Sequence, residues 1–105
     1  MKIIQATVAD IPRIIDIQKN DGYVHAYYLT KQRANVVFSN GERFYGAYND
    51  DNLMVGFASI NVDIERMRIH FFFIHKAVQG CGVGTLLLNF VIKIAHEEKV
   101  KNIYI

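Results

Sequence analysis

The stretch His75-Lys76-Ala77-Val78-Gln79-Gly80-Cys81-Gly82-Val83-Gly84-Thr85 holds three of the chain's seven glycines within five residues. Alternate glycines at the head of an apolar, periodic segment point to one kind of chemistry, the holding of an anion. Free N–H groups at a helix N-terminus, together with the positive end of the helix dipole, attract phosphate. Glycine at 80, 82 and 84 removes the Cβ atoms that would keep a phosphate off the backbone, and Thr85 can add a hydroxyl donor. The pattern predicts a pyrophosphate cradle. The plainer alternative is a tight turn and nothing more. A P-loop is excluded, because no Gly-Lys-Ser/Thr occurs. The Rossmann turn fits poorly, because the spacing is Gly-x-Gly-x-Gly and the residues from His75 to Gln79 intervene after the strand. Cys81 has no histidine close in the pattern and reads as a small filler, not a nucleophile.

The elements that must position this segment follow from periodicity. Lys2 to Ala6 reads as a strand. Thr7-Val8-Ala9-Asp10 is a capping box opening a helix, with Ile11, Ile14, Ile15 and Gln18 inward and a small kink expected at Pro12. Asn20-Asp21-Gly22 ends it. Thr30 to Phe38 is a short helix. Arg43 to Tyr48 and Leu53 to Val62 form a hairpin around Asn49-Asp50-Asp51-Asn52. Arg68 to His75 is a third long strand, and its apolar run Phe71-Phe72-Phe73-Ile74 predicts a central strand covered on both sides. Gly82 to Glu98 is an amphipathic helix with Val83, Leu86, Leu87, Phe90, Val91 and Ile94 as its stripe. Lys101 to Ile105 begins a last strand. The order β-α-α-β-β-β-α-β, with an antiparallel hairpin and a parallel final pair, predicts an α/β (α+β) mixed sheet with helices on both faces.

Composition bounds the rest. The chain has 105 residues, enough for one domain, 1–105, whose folded surface of about 6,000 Å² compares with about 17,500 Å² unfolded. Hydrophobic residues are 51% and charged residues 21%, which excludes a disordered chain. A formal net charge of +2 is too small and scattered to argue for nucleic acid or an anionic membrane. No apolar run approaches the roughly 20 residues of a membrane span. A single cysteine allows no internal disulfide and no cysteine-rich metal site, and suits a reducing, cytoplasmic setting.

Gln79-Gly80-Cys81-Gly82-Val83-Gly84 resembles the Gln/Arg-x-x-Gly-x-Gly/Ala motif of the GNAT superfamily of N-acyltransferases. The preceding strand and following helix are in that family's register, and Ile4-Gln5-Ala6-Thr7-Val8-Ala9-Asp10 is similar to its usual opening. The resemblance implies acetyl-CoA as co-substrate. It implies that the backbone N–H groups of Gly80, Cys81, Gly82, Val83, Gly84 and Thr85 hold the pyrophosphate, with Gln79 also in the cofactor-binding motif, and that the pantetheine arm pairs with the strand at Phe72, Phe73 and Ile74. The implied reaction is direct attack of a neutral primary amine on the thioester, with a backbone N–H polarising the carbonyl and a base or water chain taking the proton.

For the base, the family position that often carries glutamate is Arg68 here, which cannot serve. His70 matches a histidine that some arylalkylamine acetyltransferases use, and imidazole suits proton removal near neutrality; the alternative is a histidine simply packed on the sheet. His75 reads as a loop residue, Glu65 as solvated, and His25 has no assignable role. By the same resemblance Tyr23, Tyr27 and Tyr28, with Phe44, Tyr45 and Tyr48, would line an acceptor pocket, or else pack ordinarily. The family's last helix and last two strands have no counterpart before Ile105, so the resemblance implies a C-terminally truncated domain whose uncovered edge near 101–105 drives a homodimer. The rival reading is a catalytically inactive remnant that binds acyl-CoA or only dimerises; a third is a generic nucleotide-binding domain.

Overall fold

The structure, a computed structural model, describes residues 1–21 and 29–104. Five strands make one sheet, β1 (Lys2–Gln5), β2 (Arg43–Tyr48), β3 (Met54–Val62), β4 (Arg66–Ile74) and β5 (Asn102–Tyr104), ordered along the sheet as along the chain. Neighbours are antiparallel as far as β4; β5 joins β4 in parallel. Helices α1 (Ile11–Lys19) and α2 (Lys31–Ser39) share one apolar core with the sheet, and α3 (Val83–Glu97) shares a second core with the opposite face. The mixed sheet with helices on both faces is therefore present.

Local departures from the expected pattern have simple causes. At the capping box the Thr7 N–H donates to Asp10 Oδ2 at 2.9 Å, but the residues after Thr7 wind first into a 3₁₀ turn, Val8–Asp10, before α1 begins. That shift leaves Pro12 in the first turn of α1, where a missing N–H costs nothing, so no kink is required. The buried side of α1 is Ile11, Ile14, Ile17 and Gln18, with Ile15 only half-buried. In α3 the stripe is Val83, Leu87, Val91, Ile94 and Ala95, while Leu86 is 40% exposed. Phe44 and Tyr45 are core residues, stacked on Phe38 at 4.4 Å and tilted against Phe90 at 5.2 Å, so neither lines an acceptor pocket. Tyr48 is half-buried; burial first, and then the nearby Asp10 carboxylate that it bonds, push its phenol up to about 12. Tyr23, His25, Tyr27 and Tyr28 lie outside the described residues.

Gln18 is 1% exposed. Its Oε1 accepts from the Leu29 N–H at 2.9 Å, and its Nε2 donates to the Leu29 carbonyl. One side chain thus satisfies both backbone groups of a buried residue. Gln18→Leu leaves both without a partner, at about 1–3 kcal/mol each. We expect urea unfolding to show a loss of about 3 kcal/mol; a loss below about 1 kcal/mol would mean that water replaces the amide.

The irregularity that matters most lies in β4. Ser59 pairs with Phe71 and Ile60 with Ile69, so His70 is an extra residue in the ladder. A bulge sends the residues beyond it to the opposite faces. Met67 and Ile69 pack with α3, whereas Phe71 and Phe73 pack with α1 and α2. The Phe71 N–H, displaced from the ladder, donates to the buried Ser59 Oγ at 3.0 Å. The run Phe71 to Ile74 is consequently not covered on both sides. Phe72 remains 37% exposed on the α3 side, because α3 starts beside it with glycine: a Cβ at Gly84 would lie 3.7 Å from the Phe72 ring.

Candidate functional site

A cavity of about 630 Å³ opens where β4 ends and α3 begins, lined by Phe72, Ile74, Val78, Gln79, Gly80, Gly82, Val83, Gly84, Thr85 and Asp21. Two of the three glycines serve backbone conformation. Gly80 and Gly82 have φ of +82° and +83°, where an L side chain is strained. Space is not their reason, since a Cβ at either would meet nothing within 4 Å. The first helical bond of α3 runs from the Leu86 N–H to the Gly82 carbonyl at 3.0 Å. The N–H groups of Val83, Gly84 and Thr85 precede that ladder and have no intrahelical acceptor. The first turn of α3 carries no acidic residue, so this end of the cavity suits an anion.

The loop ahead of the glycines is held from behind. The His75 N–H donates to the Val55 carbonyl at 2.9 Å and the Lys76 N–H to the Asn20 carbonyl at 2.7 Å. Gln79 Nε2 donates to the Asp21 carbonyl and, at 3.1 Å, to the Ile74 carbonyl. Gln79 is therefore a clamp that ties the end of α1 to the end of β4. Asp21, buried in the cavity wall, was not foreseen from sequence, since nothing local links it to a glutamine 58 residues away. Two residues grouped with the site in sequence lie elsewhere. The Phe73 side chain belongs to the core under α1, and Cys81 is exposed and outside the cavity lining.

The edge of β4 faces this cavity. The amides of Phe71 and His75 point to β3, so the two-residue period turns those of Phe72 and Ile74 to the other edge. Among the described residues, β5 pairs there only with Arg66, Met67 and Arg68.

On the opposite face of β4 a second cavity, about 420 Å³, is lined by Arg33, Val37, Asn40, Glu42, Asn61, Asp63, Arg66, Arg68 and His70. The His70 side chain is 34% exposed and that of Glu42 4%, and His70 Nδ1 lies 2.9 Å from Glu42 Oε1. An ionised carboxylate only accepts hydrogen bonds, so Nδ1–H donates to Glu42, and the neutral tautomer that makes this bond has its lone pair on Nε2. The His70 ring also stacks on Phe71, with centroids 4.1 Å apart. Ring and tautomer are thus both held. Glu42 is the second residue that sequence reading missed, because it follows a turn and its partner is 28 residues on. Its Oε2 is buried with no hydrogen-bond partner among the described residues.

At the mouth of this cavity Asp63 pairs with Arg66 at 3.4 Å. Its carboxyl is held below the usual range, chiefly by the backbone N–H groups of Glu65 and Arg66. No group of three or more metal-ligating side chains occurs among the described residues, and no helix there is long and apolar enough to cross a membrane.

Residues 10–105 match the family model described as acetyltransferase (GNAT) family. No curated protein matches the chain. Among solved structures, a tetramutant of the BH1408 protein from Bacillus halodurans superposes with a TM-score of 0.80 at 15% identity, covering 99% of this chain and 81% of that one. A ribosomal-protein-alanine N-acetyltransferase from Brucella melitensis gives 0.77 at 14% identity, covering 98% and 77%. The protein Rv2747 from Mycobacterium tuberculosis, solved in complex with CoA, gives 0.75 at 20% identity, covering 95% and 60%. At these identities the likeness is one of fold.

Proposed function

Because the chain belongs to the GNAT acetyltransferase family, we propose that it transfers an acetyl group from acetyl-CoA to a primary amine by direct attack. The observation that carries this reading is the pair of cavities on opposite faces of β4, one reached by Phe72 and the other by His70. Two substrates entering from opposite sides would meet at the edge of β4 that carries the Phe72 and Ile74 amides.

The residues fit the co-substrate. The amides of Val83, Gly84 and Thr85 would receive the pyrophosphate, with Gly80 and Gly82 shaping the loop and Gln79 and Cys81 supporting it from outside the contact. The amides of Phe72 and Ile74 would pair with the pantetheine arm; Phe73 supports them through the core. Acetyl-CoA supplies an activated thioester carbonyl. A further backbone N–H of β4, not one of those two, would stabilise the negative charge that grows on its oxygen. His70 Nε2 takes the proton as the amine nitrogen forms its bond to carbon, and the C–S bond breaks with the electron pair leaving on sulfur. Tyr104 lies on β5, 49% exposed, and is given no part in protonating that sulfur.

Isothermal titration with acetyl-CoA, using ATP as the control, tests the reading. Binding of acetyl-CoA without ATP supports it. A folded chain that binds neither overturns it and leaves a non-catalytic domain. The proposal keeps the homodimer, supported by Ile103 and Tyr104, which stand exposed on β5; a light-scattering mass equal to one chain would sink that part.

A further inference from the structure

We infer that the acceptor is a small amine that also carries an anionic group, a carboxylate or a phosphate, held by Arg33 and Arg68. This rests on the acetyltransferase reading of β4 and deepens it. The cavity around His70 has a volume of about 420 Å³, within the range of small-molecule sites, roughly 300–1,000 Å³, and its wall is rich in charge. Part of that charge is engaged internally. Glu42 bonds His70 at 2.9 Å, and Asp63 pairs with Arg66 at 3.4 Å. Arg33, from α2, and Arg68, from β4, form no ion pair among the described residues, yet both line the cavity. Arg33, Arg66 and Arg68 face only Glu42 and Asp63 in that lining, so with a neutral His70 the wall keeps a positive excess, and two of its guanidinium groups, on different elements, have no ion-pair partner among the described residues. Arg68 is two residues before His70 in β4, so an anion held there sits close to the histidine.

Guanidinium groups present several donors in a planar fork that matches carboxylate and phosphate oxygens. A bound anion would neutralise both and leave the amine end of the same molecule free to reach His70 Nε2. A simple alkylamine offers nothing to either arginine. An amine with no anionic group would also, when protonated, bring a further positive charge into a wall that already carries an excess. The Asn40 and Asn61 side chains, in the same lining, can add neutral donors to the anion.

The experiment is calorimetric titration of the CoA-bound chain with three amines of matched length: 3-aminopropanoate, 2-aminoethylphosphonate as the phosphate mimic, and butylamine. The two anionic arms separate a carboxylate from a phosphate acceptor. We expect at least one anionic amine to bind about tenfold or more tightly than butylamine, as charge-assisted hydrogen bonds allow. The double variant Arg33→Gln, Arg68→Gln should bring that ratio to about one. Rescue by Arg33→Lys, Arg68→Lys, which restores charge without the fork, should be partial. Equal affinity for all three amines overturns the inference, as does a preference that survives in the glutamine variant. The acetyl-CoA titration on the same sample reports separately on the acetyltransferase reading. If CoA does not bind, that reading falls, and the amine titrations of the free chain still decide whether the arginines select an anion.

Discussion

Thr85→Glu is expected to abolish acetyl-CoA binding while making the protein slightly more stable. Val83, Gly84 and Thr85 are the first three residues of α3, and their amides point out of the helix end. A glutamate at the third position places a carboxylate beside those amides. For the free protein this is favourable: acid in a first turn contributes roughly 0.3–1 kcal/mol through the dipole and the unpaired N–H groups. Nothing opposes it locally, since the present first turn holds no acid and Thr85 is exposed. For a pyrophosphate the same carboxylate is both a competitor and a like charge. Two unit charges about 4 Å apart near a protein surface repel by up to about 4 kcal/mol, so an affinity loss of at least about a hundredfold is expected. Thr85→Val, which alters the hydroxyl but not the charge, should cost far less. Calorimetry with acetyl-CoA and a thermal melt read both effects at once. Undiminished affinity in Thr85→Glu would place the pyrophosphate elsewhere. A lowered melting temperature would mean that the helix end is shaped differently from this description.

Changing His70 to glutamine should lower kcat by about a hundredfold or more, the ordinary contribution of a positioned base. Glutamine keeps the volume and a hydrogen-bonding tip, so the bond to Glu42 can be partly replaced. It cannot accept a proton. The side chain is 34% exposed and outside both cores, so the melting temperature should hardly move. Affinity for acetyl-CoA should also be nearly unchanged, because that cavity lies on the other face of β4. The readout is the rate of CoA thiol release against amine concentration, at saturating acetyl-CoA. An unchanged kcat would mean that water takes the proton and that His70 is only a packed residue of the bulge.

The glycine-rich turn, the capping box, the β2–β3 hairpin and the long stripe of α3 were legible because each is a local signal. Their physics acts within one or two turns of chain: a dihedral that only glycine adopts freely, a hydroxyl or carboxylate reaching three residues, a period of 2 or 3.6. The opening of the box is one example, with Asp10 reaching back to the Thr7 N–H. Errors occurred where a local signal was extended across a global choice. The stripe of α3 was drawn through Leu86, which is 40% exposed because it lies off the side of the helix that holds Val83, Leu87, Val91, Ile94 and Ala95. Phe44 and Tyr45 were read as possible binding residues, yet both fill the interior, since aromatic type alone does not tell a core from a pocket.

The acidic partner of the histidine shows the same limit more sharply. Glu42 follows a glycine at positive φ, Gly41, in a turn whose sequence gives no reason to single out a carboxylate. It becomes relevant only because β4 lies near enough for its Oε1 to reach His70. Gln79 is the converse case. It was visible as part of a motif, and its side chain turned out to serve the frame, bonding two backbone carbonyls from distant elements.

By itself, then, the sequence determined the elements, their order, the family and the glycine-rich entry to α3. Those properties come from short-range periodicity and from backbone conformations that few residues tolerate. Only the tertiary structure decided which side chains share a cavity. The bulge at His70 exchanges the faces of β4 midway along the strand, and no alternation rule carried along the sequence survives that exchange. With it Phe72 turns to one cavity while His70 stays with the other. Arg33, Glu42 and Arg68 then come together from a helix, a turn and a strand, through packing that no local interaction encodes.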